Sequence, residues 1–227
     1  MINNLAIVVP VYNEQENIAR VIKAWEKKII SLNIINYKFL IINDGSTDNT
    51  IDTLKKIEGK KIEIYSTKNQ GHGNACLYGY QISINTKYDW TLQIDSDDQC
   101  NPIFFDKFCK LSQKEPIIFG YRYRRMDGFI RYLASRLLSI LIFLKSYDYL
   151  PDVNVPYRLI KTKILEEVIS LVPHDVILKN AYLSVAIKKR YKRISYIPII
   201  FDQRFSGKSK YNFKTMIFQL FNLLKKI

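Results

Sequence analysis

Asp95, Asp97 and Gln99, in the run Asp95-Ser96-Asp97-Asp98-Gln99, bring two carboxylates and an amide oxygen together at alternate positions. Hard oxygen donors of this kind suit Mg²⁺ or Mn²⁺, ions that complete their shells with phosphate oxygens. The run follows Trp90-Thr91-Leu92-Gln93-Ile94, which reads as a strand. An extended backbone would turn the three side chains to one side. A solvated acidic turn has the same composition, so the pattern gains weight only beside others. Asp44-Gly45-Ser46 offers a carboxylate for a base or ribose and a glycine for a tight turn. It also reads as an ordinary strand-to-helix turn with capping residues. Gly71-His72-Gly73 would let backbone approach a ligand, or would simply open a helix.

The elements that must position these residues alternate. Leu5-Ala6-Ile7-Val8-Val9 is short, β-branched and ended by Pro10, the pattern of a buried strand. A helix is predicted over residues 15–31, with Ile18, Val21, Ile22 and Trp25 at helical spacing. Phe39-Leu40-Ile41-Ile42 and Ile62-Glu63-Ile64-Tyr65 read as further strands. Residues 47–57, with Asp48 as a cap, and residues following Gly73 through Ile84 read as helices. This order predicts an α/β fold with a mostly parallel sheet and helices on both faces. Ligands of such sheets bind beyond the carboxyl ends of the strands. The clusters at 12–14, 44–46 and 95–99 each follow a strand and should therefore meet at one edge. The second half is less regular, with a strand predicted over 117–121 and helices over 127–147, 176–189 and 211–227. One domain is expected over 1–227, with the strand-end clusters all in its first 125 residues.

Composition narrows the partners. The chain has 227 residues and a net charge of +14, which favours anionic partners. The 16 tyrosines and the charge permit nucleic acid, but no nucleic-acid motif is present, and the acidic turn at 95–98 would repel a phosphate backbone. The 3 cysteines, Cys76, Cys100 and Cys109, form no CxxC pair, so unpaired thiols are expected. Neither a secretory signal nor a run of the roughly 20 apolar residues that spans a membrane is visible.

Taken together, Val9-Pro10-Val11-Tyr12-Asn13-Glu14, Asn43-Asp44-Gly45-Ser46-Thr47-Asp48, Gly71-His72-Gly73-Asn74-Ala75 and Asp95-Ser96-Asp97-Asp98-Gln99 resemble the family-2 glycosyltransferases of GT-A fold. Gly120-Tyr121-Arg122-Tyr123, the stretch from Asp152 to Arg158, and Arg204-Phe205-Ser206-Gly207-Lys208-Ser209-Lys210 resemble the dolichol-phosphate mannose synthase and polyprenyl-phosphate glycosyltransferase branch. Val155-Pro156 stands where that branch often has Ser-Gly. The resemblance implies that Pro10, Tyr12, Glu14, Asp44 and Ser46 line the nucleotide pocket, with Asp95 and Ser96 nearby. It implies that Asp97 and Gln99, with Asp95, hold Mg²⁺ or Mn²⁺ on the donor diphosphate, and that Arg122, Arg131, Arg204 and Ser209 contact phosphates. Arg158, Lys208 and Lys210 are expected to add positive charge around the acceptor, and Asp152 is the candidate base if the acceptor is a hydroxyl.

Two amphipathic helices bear on location. In residues 127–147, Arg131, Ser135 and Ser139 form a polar stripe, with Ile130, Leu133, Leu137, Ile140, Leu141 and Leu144 on the other side. In residues 211–227, Phe213, Met216, Ile217, Leu220, Leu223 and Leu224 form an apolar face opposite Lys214, Asn222, Lys225 and Lys226. These faces would rest on an anionic membrane, or pack on the sheet, on a second copy of the chain or on a membrane-protein partner. The expected activity is inverting transfer of a hexose from a UDP- or GDP-sugar to a polyprenyl phosphate by an enzyme peripheral to the cytoplasmic face of a membrane. A glycan hydroxyl is the alternative acceptor.

Overall fold

The computed structural model describes residues 2–125, 129–202 and 213–227, with side chains for all of these except 125, 129–132, 134 and 213–217. Its centre is a run of parallel strands. β1 (Asn4–Val11) lies between β2 (Asn36–Asn43) and β4 (Trp90–Gln93), with β3 (Ile62–Ser66) outside β2. Leu5 faces Tyr37 on one side and Trp90 on the other, and Val8 faces Leu40 and Gln93. Nearly all of β1 and β2 is buried, which explains their continuous apolar runs. β6 (Arg158–Lys161) runs antiparallel to β4 and to β5 (Ile117–Arg125), and β7 (Ser195–Phe201) closes the edge parallel to β5. The seven-stranded order is β3-β2-β1-β4-β6-β5-β7, with β6 alone reversed.

Eight α-helices accompany the sheet among the described residues: α1 (Ile18–Ser31), α2 (Thr50–Ile57), α3 (His72–Asn85), α4 (Phe105–Leu111), α5 (Phe129–Ser146), α6 (Thr162–Val168), α7 (Lys179–Tyr191) and α8 (Phe213–Lys226). α1 lies against α2, while α3 lies against α6 and α7. Helix α1 begins later than its pattern predicts, because the amides of Asn17 and Ile18 first close a turn on the Glu14 carbonyl. α2 begins at Thr50 with Asn49 at its cap position and no side-chain cap bond; Asp48, the expected cap, instead closes the turn before it, accepting the Thr50 amide on Oδ1 at 3.0 Å.

Elements α4, β6, α6 and β7 are absent from the sequence-based expectation. β6 is four residues long with a charge at each end, too short for a period to show. β7 contains Pro198, tolerated because this strand is at the sheet edge.

Aromatic packing joins the two halves. Trp25 of α1 meets Phe105 edge-on at 5.5 Å and Tyr157, just before β6, at 5.3 Å. Phe108 stacks on Tyr157 at 4.5 Å. The Trp25 indole donates to the Cys100 carbonyl at 3.1 Å, so this cluster also fixes the end of the acidic turn. Burial pushes the Cys109 thiol up to about 12 and raises Cys100 as well; neither is disulfide-bonded.

α3 crosses the sheet so closely that only glycine fits at position 79. A Cβ there would stand 2.3 Å from Val8 Cγ1 and 3.1 Å from Ile42 Cγ1. Gly79→Val is therefore expected to cost at least about 1–3 kcal/mol, the scale of overpacking, in urea denaturation. Gly59→Ala, where a Cβ would meet nothing within 4 Å, is the control that should leave the midpoint nearly unchanged.

Candidate active site

The carboxyl ends of β2, β1 and β4 are neighbours, and the three strand-end clusters meet there. Asn13, left-handed at φ 55°, turns the chain after β1 so that its amide donates to Ser46 Oγ at 3.0 Å. The Glu14 amide donates to Thr50 Oγ1 at 2.8 Å, and the buried Glu14 carboxylate accepts from Asn17 Nδ2 at 2.6 Å. Pro10 is buried and Tyr12 half-buried on the same edge.

Asp44 has a definite task. Its two oxygens accept the amides of Gln70 at 2.7 Å and Gly71 at 2.8 Å, so it holds the β3–α3 loop. Only 3% of Asp44 is exposed. Gly45 keeps this turn tight: at φ +68° a Cβ would stand 2.7 Å from the Asn69 amide.

The acidic run departs from the expected geometry. β4 ends at Gln93, and residues 95–99 form a turn with Asp98 left-handed at φ 67°, so strand alternation does not align Asp95, Asp97 and Gln99. The turn is closed by Asp97 Oδ1, which accepts the Gln99 amide at 3.3 Å. Asp98 is drawn aside into an ion pair with Arg20 at 3.0 Å. Asp95 and Asp97 remain half-buried at the edge, while Ser96 and Gln99 are buried. Gln99 spends an amide N–H on the Asp202 carbonyl at 2.7 Å and keeps an amide oxygen as a hard donor.

These groups fit a divalent cation in chemistry: carboxylate and amide oxygens at the end of a buried strand. Among the described residues no three His, Cys, Asp or Glu gather into a metal site.

His72, not assigned a role from sequence, lies with Nε2 3.6 Å from Asp95 Oδ1 and 3.4 Å from Cys76 Sγ. It also lines a cavity of about 250 Å³ between the start of α3 and the loop before α7, walled by Asn74, Asn154, His174, Lys179 and Asn180. Lys179 is buried, its Nζ donating to the carbonyls of His174 at 2.7 Å and Pro173 at 3.1 Å, and burial lowers its pKa. Gly71-His72-Gly73 marked this place by its glycines. The far wall, 100 residues later, carries no sequence signal linking it to α3.

The basic residues divide. Arg122 is buried and pairs with Asp152 through Nε–Oδ2 at 2.6 Å and Nη2–Oδ1 at 2.7 Å, over the Phe201 ring. Removing one member of such a buried pair typically costs about 3–5 kcal/mol, so each holds the other in place. Arg158 corrects its expectation as an acceptor contact. It is fully buried against Phe119, and its guanidinium donates to the carbonyls of Val155, Asn180 and Val153 at 2.6, 2.9 and 2.9 Å. Arg131 lies in α5 but its side chain is outside the described residues; Arg204, Lys208, Ser209 and Lys210 are outside them altogether. The last described residue before that loop, Asp202, is tied to Gln99 and, at 3.2 Å, to Asn101.

The family model for glycosyl transferase family 2 matches residues 6–169, which contain all three strand-end clusters. The chain belongs to that family. Among relatives of this glycosyl transferase, an uncharacterized protein of Methanocaldococcus jannaschii is 27% identical over 208 residues, covering 83% of this chain and 87% of its own. The undecaprenyl-phosphate 4-deoxy-4-formamido-L-arabinose transferases of Serratia proteamaculans and Proteus mirabilis are 24% and 23% identical, covering 98% of this chain and 67% of theirs. In fold, the glycosyl transferase is similar to glucosyl-3-phosphoglycerate synthase from Mycobacterium tuberculosis, with a TM-score of 0.74, 14% identity, and coverage of 99% of this chain and 80% of that one. That protein has also been seen in complex with Mn²⁺, UDP and glucosyl-3-phosphoglycerate.

Because the buried Asp44 spends both oxygens on the β3–α3 loop, Asp44→Asn should place an NH₂ against one of the two loop amides. A loss of about 1–3 kcal/mol is expected. Hydrogen exchange should show the Gln70 and Gly71 amides opening faster than in the wild type while β1 amides stay protected.

Proposed function

We propose that this glycosyl transferase moves a hexose from a UDP- or GDP-sugar to a polyprenyl phosphate, with Mg²⁺ or Mn²⁺, at the cytoplasmic face of a membrane. The observation that carries the reading is that a hard-donor turn at the strand ends shares one body with a helix whose apolar side faces outward. On α5, Leu137, Ile140 and Leu144 are 51%, 55% and 63% exposed, while Ser139 is 4% exposed and turned toward the Pro151 carbonyl. Phe218 and Phe221 of the adjacent α8 are 64% and 60% exposed. Leaving one such side chain in water forgoes roughly 1.5–3 kcal/mol. A lipid surface recovers that energy, and the charge of +14 suits anionic headgroups. No helix among the described residues is long and apolar enough to cross a membrane. The undecaprenyl-phosphate transferases matched over 98% of this chain support the same acceptor class.

On this reading Asp95, Asp97 and Gln99 would hold the cation, which would supply positive charge at the departing diphosphate. The chain's own groups position the donor: the 12–14 and 44–46 turns frame the nucleotide, and the β3–α3 loop held by Asp44 leads to His72 beside Asp95. Asp152 is buried and held by Arg122, so it is not placed to take a proton from a hydroxyl. A phosphate monoester needs no such base, since its second pKa is about 6. What it needs is positive charge between itself and the diphosphate, which this reading assigns to Arg131, Arg204, Lys208 and Lys210, with Ser209 at the donor phosphates.

Transfer of radiolabelled hexose from UDP- and GDP-sugars tests the chemistry, with arms offering a short-chain polyprenyl phosphate, 3-phosphoglycerate and a glycan. Product is expected in the polyprenyl phosphate arm, to vanish with EDTA, and to fall about 10²–10³-fold in Asp97→Asn. Product in the glycan arm alone would replace the acceptor, and full activity after chelation would remove the metal. Sedimentation with anionic vesicles tests the location: binding should weaken with salt and be lost in Leu137→Glu/Leu144→Glu, whereas protein left in the supernatant at low salt would assign the apolar faces to a protein partner.

A further inference from the structure

Behind Asp95 lies a buried amide that belongs to none of the four motifs. Gln93 is the last residue of β4 and is fully buried. Its Nε2 donates to Asp95 Oδ1 at 3.3 Å. Its Oε1 accepts the Tyr80 hydroxyl at 2.8 Å and Asn180 Nδ2 at 3.3 Å. Tyr80 comes from α3 and Asn180 from the first turn of α7, and both are buried. Burial holds the Tyr80 hydroxyl far above its ordinary range, so it remains protonated and donates.

An amide has one accepting end and one donating end. The Asp95 carboxylate only accepts, so the Gln93 NH₂ must face it and the oxygen must face inward. There the oxygen takes the Tyr80 hydroxyl, whose other acceptor, Asn180 Oδ1, lies farther off at 3.4 Å; the flipped amide would set oxygen against oxygen at Asp95 and lose the donors from Tyr80 and Asn180. Asn180 reinforces this choice, since its own NH₂ is shared between Gln93 Oε1 and Cys76 Sγ at 3.3 Å. Asn180 also lines the cavity, and its carbonyl is held by Arg158. A single side chain thus touches Asp95 on one side and, through Asn180, the cavity's far wall on the other.

We infer that Gln93 is a positioning residue: held in one amide orientation by Tyr80 and Asn180, it fixes the Asp95 carboxylate for the cation and donor diphosphate. The inference rests on the donor and metal reading above. Partners behind a metal ligand typically change metal affinity about 10–100-fold when removed.

The test is calorimetric binding of UDP and of GDP, each with Mn²⁺ and with EDTA, alongside thermal unfolding. Gln93→Met keeps the length and apolar volume but loses the amide. It should weaken Mn²⁺-dependent nucleotide binding about tenfold or more, while any binding in EDTA is unchanged. Tyr80→Phe removes only the hydroxyl that anchors the inward-facing Gln93 oxygen; a smaller loss in the same Mn²⁺-dependent part is expected. Ser83→Ala is the packing control, since Ser83 Oγ bonds Thr91 Oγ1 at 2.6 Å in the same core without touching Asp95. It should lower the melting temperature and leave binding intact. Folded Gln93→Met with Mn²⁺-dependent affinity within twofold of wild type would overturn the inference, as would equal losses with Mn²⁺ and EDTA. If Gln93→Met does not fold, Tyr80→Phe decides, and an unchanged Mn²⁺-dependent affinity there overturns it. Wild type that binds neither nucleotide takes the donor reading and this inference down together.

Discussion

Burying the Arg158 guanidinium removes a charge from water at a cost of several kcal/mol, and the second half of the chain is arranged around how that cost is met. Three backbone carbonyls and the Phe119 face receive it. Hydrogen bonds to a charged group contribute roughly 1.5–3 kcal/mol each, enough together to offset the loss of hydration. Two of those carbonyls, of Val153 and Val155, lie in the loop that presents Asp152 and Asn154; the third opens α7. Asp152 in turn holds Arg122, and the Arg122 carbonyl accepts from Arg136 of α5 at 3.2 Å. The placement of the outward-facing helix thus descends step by step from one buried cation.

The strand-end edge manages its negative charge differently. Carboxylates crowd there, yet most are committed: Asp44 to two amides, Asp98 to Arg20, Glu14 to Asn17. Asp95 and Asp97, which accept from Gln93 Nε2 and from the Gln99 amide, stay half-buried at the same edge. A site prepared in this way needs little rearrangement when charge develops, which is where electrostatic stabilisation is most effective. Across the cavity, amides and backbone carbonyls predominate, and the buried Lys179 spends its donors on carbonyls.

Helix α5 is amphipathic in the reverse of the usual sense. Ser139 and Ile142 are buried, and Arg136 reaches the carbonyls of Pro151 and Arg122 while lying over the Tyr121 ring. Polar anchoring of the inner face, beside Leu138 and Ile142, leaves Leu133, Leu137, Ile140 and Leu144 outside. In a water-soluble helix the stripe would face the other way. The reversal is meaningful because long apolar side chains left in water contribute nothing to this fold, whatever surface they later meet.

Much of the first half was legible in the residues. β1, β2, β3 and β4 are short apolar runs ended by turn formers, and parallel strands buried on both faces need no more than that to be recognised. The order of the motifs followed, and with it their convergence. Gln93 was legible only as an oddity, a polar residue inside a buried strand, since its partners Tyr80 and Asn180 lie 13 positions before it and 87 after it. Sequence alone determined strands β1 to β4, the place of the acidic run just beyond β4 and the amphipathic character of α5, because each depends on neighbours along the chain; the turn geometry of that run it did not. Tertiary structure alone decided that β6 is reversed, that Arg158 is interior while Arg122 grips Asp152, and which side of α5 meets solvent. A charge or an apolar stripe reads the same in sequence whether it is buried or exposed. Its role is set by which distant groups can satisfy it, and only the folded chain brings those groups within reach.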